Sequence, residues 1–113
     1  STDSGRVVQT WEKNEITLTL NAQLPPIDVS LYYEAWILRP YPFDFLTLGE
    51  LQPLAEGGFR LVWTSSKDLS DYTQVIVTRE SRDGNTDPST HVLEGIFEPY
   101  EPAIDSVPVP LSE

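Results

Sequence analysis

The sequence predicts an all-β protein: a single antiparallel β-sandwich of about seven strands, immunoglobulin-like or a similar Greek key, with extended N- and C-terminal arms. Three observations indicate this. Apolar and polar residues alternate in several short runs, turn-forming residues separate those runs, and no stretch keeps a helical period over several turns. The length of 113 residues suits one domain with a single core. A small closed barrel is the alternative architecture.

The first half of the chain contains the clearest alternation. Residues 6–11 are a plausible short first strand, and residues 16–20 alternate Ile and Leu with Thr in a half-buried second strand. The prolines at 25–26 interrupt regular pairing because proline has no N–H to donate. Residues 31–38 place mostly apolar side chains on both faces, which predicts a central strand covered on both sides.

The remaining strands are shorter and are separated by polar segments. Gly49 is a candidate β-bulge in the first of them, and residues 65–72 are predicted to loop, with Leu69 and Tyr72 touching the core. A run rich in β-branched residues favours a strand at 73–78. The strands predicted here cover residues 43–51, 59–64, 73–78 and 90–97.

These elements divide the chain into three parts. Residues 1–13 are the N-terminal arm and first strand, residues 14–97 are the β-sandwich, and residues 98–113 are an extended proline-rich tail with no helical tendency. We expect the folded unit to be the central part.

Composition excludes several classes of function. A net charge of -11 opposes phosphate binding, so a nucleic-acid partner is not expected, and the same sign disfavours anionic membrane surfaces. Cysteine is absent, which removes disulfides, thiolate nucleophiles and cysteine zinc sites. No apolar run is long enough to predict membrane insertion. The acidic balance, with few lysines and many Thr and Val, favours an extracellular or cell-surface location.

A series of short motifs follows along the middle of the chain, at residues 33–38, 48–51, 58–61, 69–72, 75–80 and 92–95, with Pro88 between the last two. Their order resembles the extracytoplasmic domain of the anti-sigma-K factor family. The resemblance covers about residues 14–97 and implies a β-sandwich outside the cytoplasmic membrane that binds protein or senses something there. That family also has a sigma-binding segment and a membrane helix, which this sequence does not contain, so sigma-factor inhibition is not implied.

One acidic cluster has the spacing of a calcium loop. Asp83, Asn85 and Asp87 place oxygen ligands at alternate positions, which is how such a loop begins. The rest of the signature is missing, because Pro88 stands where glycine is needed and Glu94 lies inside a predicted strand. The alternative is a solvated hairpin connection in which Asp and Asn supply turn geometry.

No residue pattern predicts catalysis, and we expect a non-enzyme without a required cofactor. Glu34 lies mid-strand among aromatic residues and would need a partner such as Arg60 or Arg79, or an open face. His91 is the only histidine, and no nucleophile motif accompanies it; its simplest interpretation is a surface position on a strand.

Aromatic residues raise the possibility of a carbohydrate platform. The candidates for stacking on sugars are Trp36, Trp63, Tyr32 and Tyr41. At strand spacing such residues are more often part of a sandwich core. Tyr41 and Tyr100 are predicted to be more exposed because prolines flank them.

The tail has the pattern of an added strand. Val107, Val109 and Leu111 alternate with proline and serine, as in an extended segment that docks on a sheet edge. Each proline removes one donor, so the docking must be one-sided. The tail packs either on its own domain or on a neighbouring copy. With Tyr100, these residues are the predicted partner-binding residues.

Together these features predict a non-catalytic exported module that acts by protein–protein assembly. The expected role is a structural subunit of an extracellular fibre, filament or surface layer, and the expected partners are other copies of the chain or another surface protein. The alternatives are a sensor or ligand-binding ectodomain related to anti-sigma-K factors, and a carbohydrate-binding module.

Overall fold

The computed structural model describes residues 3–82, 90–96 and 107–111, and within them it contains strands and no helix. The strands are β1 (Ser4–Glu12), β2 (Glu15–Gln23), β3 (Leu31–Pro40), β4 (Phe43–Glu50), β5 (Gln52–Pro53), β6 (Phe59–Ser65), β7 (Gln74–Ser81), β8 (Thr90–Ile96) and β9 (Val107–Leu111). The count exceeds the predicted number because the tail contributes a strand and because β5 is a two-residue pairing.

The strands form two antiparallel sheets, as a β-sandwich requires. One sheet has the order β5-β6-β2-β1-β9 and the other has the order β4-β3-β7-β8. Without the short β5, each sheet has four strands. The prediction of an all-β antiparallel sandwich is confirmed, in preference to a single closed barrel.

The core lies between the two sheets and follows the period of two along each strand. In β2, Ile16, Leu18, Leu20 and Ala22 are buried while the residues between them are half-buried. Successive side chains of a strand point to opposite faces, so this alternation places one face of β2 against the other sheet. The opposite layer contributes buried residues of its own: Tyr33, Ala35, Ile37, Leu48, Val75, Val77 and Leu93.

β3 is the central strand of its sheet, between β4 and β7. Its inner residues, Tyr33, Ala35 and Ile37, are buried, as the alternation predicts. Its outer residues, including Trp36 and Leu38, are only half-buried. The expectation that both faces are covered is therefore wrong for the outer face, where the shielding of Trp36 comes from neighbours on the same sheet such as Phe45 and Thr78.

The bulge predicted at Gly49 is confirmed. Gly49 has a φ of 113°, and the register between β3 and β4 shifts between Ala35 and Trp36. The chain then leaves this sheet for the other one through Leu51, whose N–H donates to the carbonyl of Tyr33 at 2.8 Å. Later in the chain, the predicted loop before β7 contributes Leu69 and Tyr72 to the core, where both are buried.

Both terminal parts of the chain contribute strands to the five-stranded sheet. β1 is longer than the short strand predicted at residues 6–11 and pairs with β2 along its whole length. β9, which contains Val107, Val109 and Leu111, pairs with β1 of the same chain. Of the two packing modes left open for the tail, packing on its own domain is therefore the one present in this single-chain structure.

Candidate functional site

The edge formed by β1 and β9 is the first candidate site. Lys13 and Asn14 have positive φ values of 53° and 64°, which is typical of the two-residue type I′ turn between strands. The residues that flank such a turn, here Glu12 and Glu15, form a hydrogen-bonded pair. Because hydrogen-bonded pairs alternate along an antiparallel ladder, the even-numbered residues of β1 direct their N–H and C=O groups toward β2. The odd-numbered residues of β1 therefore direct their backbone groups toward β9.

The backbone groups of β9 that bond to β1 belong to the odd-numbered residues of β9. The register places Val107 opposite Gln9, Val109 opposite Val7, and Leu111 opposite Gly5. Pro108 and Pro110 fall between them, so the two missing N–H groups belong to the outward side of β9. The tail is thus built to pair with a sheet on one side only.

Two predicted sites cannot be located on this framework. Tyr100 and the proposed calcium ligands Asp83, Asn85 and Asp87 lie outside the described residues. Within the part of the chain that the structure describes, no group of three or more His, Cys, Asp or Glu side chains is placed to hold a metal ion.

The residues considered for catalysis, Glu34 and His91, lie on strands of the same four-stranded sheet, on either side of β7. Glu34 is half-buried on the outer face of β3 and accepts a hydrogen bond from the Thr47 hydroxyl at 2.5 Å. The expected arginine partner is wrong for Arg60, which lies on the other sheet and donates to Asn21 at 2.8 Å. The backbone of His91 pairs with Thr78 in the ladder between β8 and β7.

A row of aromatic rings lies on the outer face of the four-stranded sheet. The ring centroids of Trp36 and Phe45 are 5.7 Å apart with planes inclined by 55°, and those of Phe45 and Phe43 are 6.0 Å apart with planes inclined by 42°. Phe43 and Phe45 are 66% and 53% exposed. Because the rings are inclined, they do not offer one flat surface for stacking on a sugar.

The other aromatic candidates are scattered. Tyr41 is 89% exposed at the turn between β3 and β4, as predicted. Trp63 is half-buried in the other sheet and packs against the core, so it does not join Trp36. The indole N–H of Trp36 donates to the Thr78 hydroxyl at 3.0 Å, and that hydroxyl donates to Glu80 at 2.6 Å.

Arg82 is a residue that the sequence did not single out. Its guanidinium bonds both carboxylate oxygens of Glu50, at 3.1 and 2.5 Å, and donates to the carbonyl of Val29 at 3.1 Å. It also lies 4.8 Å from the centroid of the Tyr32 ring. Arg82 therefore ties the end of β7 to the loop before β3 and to the end of β4. Nothing in the sequence pattern joins residues so far apart in the chain.

An open depression of about 370 Å³ lies beside Arg82. Its lining is mainly apolar and aromatic and includes Ile27, Tyr32, Tyr33, Leu51, Phe59 and Arg82. Burial raises the pKa of the Tyr33 hydroxyl, which donates to the carbonyl of Pro25 at 2.8 Å. The guanidinium of Arg82 is already bonded to Glu50, so its geometry is that of a structural link.

The bond to Arg82 holds the pKa of Glu50 below its ordinary value of 4.5. A lowered pKa in the folded chain means that Glu50 adds to stability above its unfolded pKa, and this contribution is lost as the pH falls through the lowered value. We expect Arg82→Ala to raise the pKa of Glu50 toward 4.5, measured by NMR titration of the side-chain carboxyl. Arg60→Ala is the control because Arg60 bonds Asn21 instead. An unchanged Glu50 titration in R82A would contradict this assignment.

A second polar cluster stabilises the start of β4. The Tyr72 hydroxyl donates to the carboxylate of Asp44. This bond is the main cause that raises the pKa of Tyr72, and burial is the second. Arg39 lies 3.9 Å from the same carboxylate and 5.2 Å from the centroid of the Tyr72 ring. These contacts direct the Asp44 side chain toward Tyr72 and Arg39, away from the edge of the sheet that β4 forms.

Comparison with known proteins does not assign the chain to a family. No protein family model matches it, and neither a curated protein nor a solved structure does so. Among the described residues, no helix is long and apolar enough to span a membrane. The geometry of the two sheet edges is therefore the basis for a functional proposal.

Proposed function

We propose that this protein is an exported, non-catalytic β-sandwich that acts by protein–protein assembly. In this role it is a structural subunit of an extracellular fibre, filament or surface layer, and β9 is the strand that neighbouring copies exchange. One observation supports the proposal above the others: β9 pairs with β1, at the edge of its sheet, through a one-sided backbone ladder.

The pairing of β9 with β1 uses backbone groups that every copy of the chain carries. A β9 from one copy that docks on β1 of the next makes the same contacts as in the closed monomer, so the two states differ mainly in loop-closure entropy and concentration. Residues 97–106 connect β8 to β9, and a fully extended stretch of this length reaches at most about 36 Å. That reach is comparable with the 34 Å width of the molecule.

The prolines of β9 and the charge of the chain are both suited to ordered assembly. A donated strand that lacks outward donors at Pro108 and Pro110 ends the sheet instead of recruiting a further strand. A net charge of -11 keeps unassembled subunits apart and soluble. An exchange in which each copy gives its strand to the next and does not close on itself produces a filament.

The depression beside Arg82 favours a second candidate, a sensor or ligand-binding ectodomain. Its apolar and aromatic lining resembles that of small-molecule sites. The carbohydrate-binding alternative has less support, because the aromatic rings of Trp36, Phe45 and Phe43 are inclined to one another.

Light scattering of the full chain against a chain ending at Phe97 tests strand exchange. The full chain is expected to form oligomers that grow with concentration, and the shortened chain is expected to stay monomeric. The shortened chain should also bind a synthetic peptide with the sequence of residues 104–113, because β1 then has a vacant edge. Circular dichroism of the shortened chain verifies that its strands are retained.

Two results would contradict the proposal. If full-length and shortened chains are both monomers at high concentration, β9 does not drive assembly. If the folded shortened chain does not bind the peptide, the edge of β1 is not a receptor for a separate strand. A shortened chain that binds a small apolar ligand but no peptide would support the sensor alternative.

A further inference from the structure

The outer edge of β4 is open, and two backbone hydrogen bonds of β3 establish which groups of β4 face outward. The carbonyl of Tyr33 accepts from Leu51, just beyond β4, and the carbonyl of Leu38 accepts from Thr73, just before β7. Odd-numbered residues of β3 therefore bond to β4, and even-numbered ones bond to β7. Across the ladder, Leu46 lies opposite Ile37 and bonds inward.

By the same alternation, the residues of β4 on either side of Leu46 direct their backbone groups away from β3. Phe43, Phe45 and Thr47 direct their N–H and C=O groups away from β3, and the sheet order places no described strand beyond β4. These are the groups that an added antiparallel or parallel strand would bond.

β4 also differs from the other sheet edges in how it is protected. β5 is only two residues long and ends in Pro53, and β9 carries Pro108 and Pro110. β8 is contacted by β9. β4 has eight residues and contains neither proline nor lysine, the residues that most often protect an edge. The β-bulge of β4 lies beyond Thr47, so residues 43–47 form a regular open edge that can accept another strand.

Exposed aromatic side chains lie beside this edge. Phe43 and Phe45 project from β4 onto the outer face, next to Trp36 on β3. In strand addition, backbone bonds provide affinity and side-chain pockets select alternate residues of the added strand. The Phe43–Phe45–Trp36 row offers apolar contacts for such residues.

Charge decides what kind of strand this edge would accept. The outer face carries the carboxylates of Glu34, Glu50 and Glu80, and only Glu50 has an arginine partner among the described residues, which is Arg82. Glu34 and Glu80 are bonded by threonine hydroxyls, which do not neutralise them. The tail of a second copy contains acidic residues and no basic one, so it does not complement these carboxylates, whereas a basic segment does.

We infer that the edge of β4 is a docking site for an extended segment of a different, basic protein. That segment adds a strand to β4, places apolar side chains on the Phe43–Phe45–Trp36 row and directs a Lys or Arg toward Glu34, on the neighbouring strand β3. The site is separate from the edge of β1, so the inference does not depend on strand exchange.

Hydrogen exchange on the full chain tests the inference with a synthetic peptide as long as β4. Every second residue of the peptide is alternately Val and Lys, with Thr between them, so that Val and Lys both lie on the outer face. Free chain should exchange the amides of Phe45 and Thr47 quickly and that of Leu46 slowly. Bound peptide should slow the amides of Phe45 and Thr47, and added salt should weaken binding. A peptide with Glu in place of Lys should not bind.

Two variants separate the backbone from the ring. Phe45→Ala and Phe45→Pro both lose the aromatic side chain, but only F45P loses the outward N–H. F45P should bind the peptide about tenfold more weakly than F45A, the size of roughly one lost hydrogen bond. Slow exchange at Leu46 in both variants shows that the ladder with β3 is intact.

A modified peptide gives the same test without a mutation. Methyl groups on the backbone nitrogens of alternate residues remove the donors of one edge, so the peptide methylated on its bonding edge should lose binding to the unaltered chain. The inference is overturned if this peptide binds as well as its parent, if the Glu peptide binds equally, or if F45A and F45P bind alike. It is also overturned if the chain alone dimerises and F45P abolishes the dimer, since the occupant would then be a second copy.

Discussion

Replacing Val109 by proline is expected to release β9 from β1, whereas replacing Pro108 by alanine is expected to leave it docked. Val109 lies opposite Val7 at an inward-bonding position, so V109P removes a donor of the ladder. The lost bond and the unsatisfied carbonyl of Val7 together should lower the free energy of unfolding by about 1–3 kcal/mol. Urea denaturation measures this change, and hydrogen exchange at Val7 and Gln9 reports the release directly.

P108A has the opposite consequence, because it restores an N–H on the outward side of β9. The ladder with β1 should be unchanged, and slow exchange at Val7 should be preserved. The outer edge can then accept a further strand, so self-association should increase. Val109→Ala separates the loss of the donor from the loss of the side chain. Equal behaviour of V109P and V109A would contradict the one-sided ladder.

The strands of the sandwich were predictable because each depends on local alternation. The Ile and Leu residues at 16–20 alternate with Thr, and the structure buries them as β2 requires. The bulge at Gly49 was predictable for a similar reason, since a glycine inside a strand pattern marks a position that needs unusual φ. These features are set by residues that are neighbours in the chain.

The partner of each strand was not predictable in the same way. The tail showed a strand pattern with alternate prolines, but which edge it joins depends on how the two sheets bring β1 next to residues 107–111. Glu34 was expected to have either an arginine partner or an open face, and the register of β3 and β4 brings Thr47 to it. The bond between Arg82 and Glu50 has the same origin, because only the completed sheet places the end of β7 beside the end of β4.

Shortening Leu51 to alanine is expected to be the most destabilising single change discussed for this chain. Leu51 is 1% exposed and occupies the point where the chain crosses from β4 to the other sheet. Removing a buried leucine side chain and leaving a cavity costs about 2–5 kcal/mol. Urea denaturation followed by tryptophan fluorescence should show a lower midpoint with an unchanged slope.

Val62→Ala is the matched control, because Val62 is 56% exposed on β6 and should change stability by less than about 0.5 kcal/mol. A comparable loss in V62A and L51A would contradict the placement of the core. The same variant, Leu51→Ala, also tests whether a loss of stability affects peptide binding at the edge of β4. Leu51 lies beyond Gly49, whereas the outward groups proposed for docking are at 43–47, and L51A keeps all of them. Under conditions in which L51A is folded, its affinity for the peptide that contains Lys and Val should therefore match that of the unaltered chain. The contacts are made by the backbone groups at the edge of β4 and not by Leu51.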